Sequence, residues 1–103
     1  MIQQHVLHLK SPGPRPAYYL VARHLWGADC NIDSDGNSST PEDVQWTEIS
    51  LFLRDASPSE QIHVDPISEN PLVLSIRSPS LVLCKRVAQY LASSTGGTIE
   101  NAA

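Results

Sequence analysis

Positive charge is scarce in this chain. Seven Lys and Arg stand against eleven Asp and Glu, a formal net charge of −4, and Lys85-Arg86 is the only adjacent pair of cations. A nucleic-acid binder needs a basic stripe to neutralise phosphates, so that class is excluded. There is no apolar run long enough to span a bilayer. Met1 to Lys10 has neither a cationic start nor a continuous apolar stretch, so no signal peptide is expected and a cytoplasmic location is. Cysteine is nearly absent: Cys30 and Cys84 cannot make a disulfide framework and read as free thiols, Cys84 as a small core residue. No internal repeat is visible.

Chemistry-bearing motifs are also missing. Serine is abundant, but no Gly-x-Ser-x-Gly elbow presents one as a nucleophile. Gly96-Gly97-Thr98 follows a helical segment instead of opening one, so its amides do not form a phosphate cradle. His5 and His8 fall on opposite faces of a strand, the wrong geometry for one metal, and His24 and His63 are isolated in sequence. An enzyme is disfavoured, and no cofactor is implied apart from the calcium weighed below.

What is present reads as one α+β domain over residues 1–103, of a size suited to a single core. Residues 2–10 read as a strand, followed by a proline-rich connection through Pro12, Pro14 and Pro16. Ala17 to Trp26 is rich in aromatics and reads as a strand, although a helix starting after Pro16 would align Ala17, Val21 and Leu25. Gly27 to Asp43 reads as a long polar loop. Gln45–Asp55 alternates, with Ile49, Leu51 and Leu53 on one face and Trp46, Glu48, Ser50 and Phe52 on the other. Short strands are expected over 61–65 and 72–77, in an antiparallel meander. Ser78 as a cap, Pro79 in the first turn, and Cys84, Val87, Ala88 and Leu91 at helical spacing predict an amphipathic helix from about Ser80 to Ser94. Gly96 closes it, and Thr98 to Glu100 adds a short last strand. The expected architecture is an antiparallel sheet of five to six strands with one C-terminal helix packed on one face.

Two features point toward function. Asn31, Asp33, Asp35, Gly36 and Glu42 resemble the calcium-binding EF-hand loop, in which alternate oxygen ligands precede a glycine and a glutamate closes the site. Here Asn replaces the usual leading Asp, Ser38 stands where an apolar residue belongs, and Gly27 with Cys30 makes a poor entering helix. A solvated turn uses the same residue types. The other feature is surface chemistry. Tyr18, Tyr19, Trp26, Trp46 and Phe52 cannot all face one side of a single sheet, so some are expected on the side away from the helix. A partner could cover them, as could a second copy of the chain. Together with the acidic loop they nominate Asp33, Asp35, Glu42, Asp43 and Trp46 as partner-binding residues, best suited to a basic protein.

The segments WTEISLFLRD, PLVLSIRSPS and RVAQYLASSTGG give Trp46 through Gly97 a resemblance to small bacterial immunity proteins that neutralise a cognate toxin. The resemblance implies a small, acidic, cytoplasmic, non-catalytic protein that binds a toxin. It carries no functional residue onto this chain, and the first forty residues take no part in it.

Overall fold

The computed structural model describes residues 4–101. Six strands form one antiparallel sheet: β1 (His5–Lys10), β2 (Ile32–Gly36), β3 (Ile49–Leu53), β4 (Gln61–Glu69), β5 (Leu72–Ser78) and β6 (Thr98–Asn101). Helix α1 (Tyr18–Trp26) follows β1, and α2 (Leu81–Thr95) separates β5 from β6. The spatial order is β2-β3-β4-β5-β1-β6. The first strand is thus interior, and β2 and β6 are the edges. The sheet matches the expected α+β class, whereas the number of helices does not: α1 lies beside α2, and both cover the same face. The expected strand over 2–10 begins outside the described residues, and its described part is β1.

Alternation explains the layering. Leu9, Ile49, Leu51, Ile62, Val64, Leu74 and Ile76 project under the helices and are fully buried. From above, Val21, Ala22 and Leu25 of α1 and Leu83, Cys84, Val87, Ala88 and Leu91 of α2 complete one core. The packed row anticipated on α2 is therefore the observed one, and Gly96 ends the helix in the left-handed conformation at φ 76°.

Four local expectations are corrected. Within the expected strand over 17–26, Tyr18–Trp26 is helical, not extended, because Val21 and Leu25, with Ala17 just ahead of the helix, find a core to enter and override the strand preference of the aromatics. Ile32–Gly36 is a strand inside the expected loop, held by pairing with β3 from Ile32↔Leu53 to Gly36↔Ile49. Strand β4 runs past Pro66 to Glu69, because a register shift between Pro66 and Ser68 absorbs the missing N–H and turns Ile67 outward. The cap of α2 is Ser80, whose Oγ accepts from Leu83 N at 3.2 Å. Ser78 is instead buried within the sheet, donating to the Gln61 carbonyl at 2.7 Å. No helix among the described residues is long and apolar enough to cross a membrane.

Candidate protein-binding edge

At the β2 edge the chain carries its charge of one sign. Asp29, Asp33, Asp35, Glu42, Asp43 and Glu48 fall between Gly27 and Leu53, and that stretch holds no Lys or Arg. Side-chain hydrogen bonds order the segment after β2. Asn37 Oδ1 accepts from Thr47 N at 2.9 Å and Glu48 N at 3.1 Å, while its Nδ2 donates to Thr47 Oγ1 at 2.8 Å. Asp43 accepts from Ser39 N at 2.9 Å and Gln45 N at 2.7 Å. Those two amides, Ser39 first, hold the Asp43 carboxyl below its usual pKa, with smaller help from the Ser39 hydroxyl and Arg15.

The acids therefore divide by role. Asp43 is a structural acceptor. Asp33 accepts from Arg54 Nε at 2.9 Å, and that hydrogen bond lowers its pKa. Asp29, Asp35, Glu42 and Glu48 are exposed and make no ion pair among the described residues. A shallow cavity of about 220 Å³ opens beside them, lined by Tyr18, Ser34, Asp35, Gly36, Ser38 and Ile49.

Trp46 is placed differently from the expectation. It is 1% exposed and belongs to the core. Its Nε1 donates to the Pro16 carbonyl at 2.7 Å, and its own carbonyl accepts from Arg15 Nε at 2.8 Å. Burial lowers the Arg15 pKa, and the nearby Asp43 charge opposes the shift. Trp46 thus anchors the acidic segment from beneath without offering a surface. Of the five aromatics weighed for an exposed face, Phe52 alone lies on the open side of the sheet, at 37% exposure.

Nor are the residues of the EF-hand-like pattern gathered into a shell. Asp33 and Asp35 lie on one face of an extended strand, Asp33 is engaged by Arg54, and Glu42 sits beyond the strand in the ordered loop. Among the described residues no three His, Cys, Asp or Glu side chains form a metal-holding group.

One feature of the open face had no signal in the sequence. Cross-strand register sets Asp35, Ser50, His63, Arg77 and Val6 in a row across five strands. Gln61 Nε2 donates to the Pro58 carbonyl, which turns Gln61 Oε1 toward His63 Nε2 at 2.7 Å. A carbonyl oxygen only accepts, so Nε2 carries the proton, and Nδ1 is left to accept from the Ser50 hydroxyl at 2.9 Å. Burial, and then the Arg77 charge, keep the His63 pKa below its ordinary value, which favours the neutral ring this arrangement requires. Arg77 is itself paired with Asp65. The relay unites a nucleophile type, a base and an orienting group. The cavity at the β2 edge does not border it, and the nearest guanidinium is already engaged. Residues brought together only by strand register, such as Ser50 and His63, leave no spacing pattern to find.

No protein-family model matches the chain, no curated protein matches it, and no solved structure matches it.

Proposed function

We propose that this chain is a non-catalytic protein-binding domain that docks a basic partner on the β2 edge, in the manner of a small cytoplasmic immunity protein blocking a toxin. The observation that carries the reading is the run from Asp29 to Glu48: six carboxylates, no cation, and four of the six in no ion pair among the described residues, of which only Asp35 accepts a hydrogen bond, from the adjacent Gly36 N. An edge strand adds a row of unpaired backbone groups beside that charge. Carboxylates facing water on an ordered scaffold steer a basic protein toward them and reject acidic ones. Both thiols are free, as a reducing cytoplasm would keep them.

The test is affinity capture from the native cell with the wild-type chain and with an Asp35→Asn/Glu42→Gln/Glu48→Gln variant. The expected result is one stoichiometric partner of basic charge, held by the wild type, released by salt, and lost by the variant. That partner should be toxic when expressed alone and harmless when this chain is co-expressed. Equal retention by the variant would sink the proposal.

A further inference from the structure

Small residues on β2 leave a notch at the acidic edge. Ser34 and Gly36 pair with Leu51 and Ile49, both buried, so they lie on the helix-facing side of the strand, where larger apolar residues would extend the core. No side chain can stand at position 36: a Cβ there would fall 2.1 Å from the Glu48 carbonyl oxygen, and φ is 150°. What remains is the cavity of about 220 Å³ between Tyr18 of α1 and Ile49 of β3, with Ser34, Asp35 and Ser38 completing its lining. Small-molecule sites occupy roughly 300–1,000 Å³, so this one is scaled to a single side chain.

Two polar groups of the lining have unused capacity. The Ser38 Oγ is buried without a hydrogen-bond partner, alone in this among the buried side-chain polar atoms of the described residues. Native structures leave few such atoms, and one in the lining of a cavity points to a polar group supplied from outside. Asp35 spends one carboxylate oxygen on the Gly36 N–H at 2.8 Å, and its other oxygen accepts nothing among the described residues. The Asn37 N–H turns inward to the Glu48 carbonyl at 3.0 Å, so the Gly36 N–H turns outward. With that donor already satisfied by Asp35, a guest at this position meets a side-chain seat and not an open backbone amide.

Charge selects the guest. The surrounding run from Asp29 to Glu48 supplies six carboxylates and no cation. Arg54 is committed to Asp33, and Arg15 donates to the Gly13 and Trp46 carbonyls. An anion is repelled there, hydroxyl and carboxylate oxygens accept from N–H groups, and Ile49 gives a methylene stem apolar contact. We propose that the notch seats one arginine side chain of a basic partner, its stem along Ile49 and its guanidinium donating to Ser38 Oγ and to the unused oxygen of Asp35. Arginine suits it better than lysine because donors on separate nitrogens reach acceptors held by separate residues. Assigning that arginine to a partner rests on the docking reading above; the notch itself is tested without a partner.

Acetyl-arginine-amide at millimolar concentration should shift the NMR signals of the Ser34, Gly36 and Ser38 amides in the full chain. Its neutral isostere, acetyl-citrulline-amide, should bind about tenfold more weakly or worse. Ser34→Leu fills the notch while keeping every carboxylate, and should abolish binding with an unchanged circular dichroism spectrum. Ser38→Ala should weaken binding by about tenfold, with an unfolding midpoint unchanged or higher because the hydroxyl has no partner to lose. The proposal is overturned by an absence of shifts, by citrulline matching arginine, by binding that Ser34→Leu leaves intact, or by shifts centred on Glu42 and Glu48 instead. The last of these would leave the acidic edge standing as a docking surface. Arginine bound in the notch, with no basic partner captured from the cell, would uphold the notch and remove the docking reading.

Discussion

Arg15 and Trp46 hold each other through main-chain oxygens rather than through charge or ring contact. Arg15 Nε reaches the Trp46 carbonyl, Trp46 Nε1 reaches the Pro16 carbonyl, and Arg15 N donates to the Val44 carbonyl at 2.8 Å. Removing the ring leaves both a cavity and an unpaired carbonyl. Trp46→Ala should therefore cost about 3–5 kcal/mol in urea unfolding. Trp46→Phe keeps most of the volume and loses the N–H, and should cost about 1 kcal/mol beyond the volume change. If the alanine variant unfolded like wild type, Trp46 would not be a core anchor. His63 yields a pH prediction. Its folded pKa lies below the ordinary 6.5, so below that pH the unfolded chain takes a proton before the folded one does. Stability attributable to His63 is complete above about pH 6.5 and declines as pH falls through that value toward the folded pKa. His63→Gln should flatten the stability profile as pH falls below about 6.5; parallel curves would contradict it. Ser50 bears on catalysis: wild type and Ser50→Ala should hydrolyse p-nitrophenyl acetate equally, at the rate of the buffer control, if the relay only ties strands together. At this scale the sequence misplaced Trp46 for a definable reason. Counting alternation back from Ile49 puts it opposite the buried set, but the strand begins only at Ile49, and the parity does not extend to residue 46.

Among the elements, α2 was legible almost to the residue because capping, apolar spacing and the closing glycine agree. The start alone was misread: Ser80 is the cap where Ser78 looked equally suitable, which leaves Pro79 ahead of the helix and not in its first turn. Ser80→Ala should destabilise the protein by about 0.5–2 kcal/mol in thermal or urea melts, and Ser80→Asp should recover most of the loss. Helix α1 was misread because its two opening tyrosines and Val21 favour extended backbone locally, and what decides the outcome lies far away. Arg86 of α2 donates to the carbonyls of His24 at 2.8 Å and Leu25 at 3.3 Å, satisfying the end of α1, and His24 stacks on Tyr90 with ring centroids 4.3 Å apart. Contacts between segments some sixty residues apart leave no local trace. Strand β2 was hidden for a related reason: only Ile32 of its five residues is apolar, and its extension comes from β3.

Across the whole molecule, both helices lie on one side of the sheet, leaving a polar face and two dissimilar edges. The one-signed run from Asp29 to Glu48 was legible from composition, since it needs no fold to be counted. That it lies along a sheet edge, with Asp43 withdrawn into the loop and Trp46 beneath it, required the structure. The division between four carboxylates outside any ion pair or loop brace and the two committed ones, Asp33 and Asp43, makes a prediction at this scale. In sedimentation or diffusion measurements at low ionic strength, Asp35→Asn/Glu42→Gln/Glu48→Gln should weaken attraction to an added basic protein such as lysozyme. Asp43→Asn should instead loosen the loop, read as faster amide exchange at Ser39 and Gln45. The reverse pattern would remove the distinction between free and structural acids.

The interior position of β1 has a consequence for the order in which the chain is made. Of the six strands described, β1 is made before the others, yet it pairs with residues 73–78 on one side and 98–101 on the other, all synthesised much later. Until then Leu7 and Leu9 have no strand to lie beside, while β3, β4 and β5 can form their meander as they emerge. A pause in translation between β4 and β5 would hold β2, β3 and β4 waiting for the missing strands, with the nascent β1 open to capture by a chaperone or by another nascent copy.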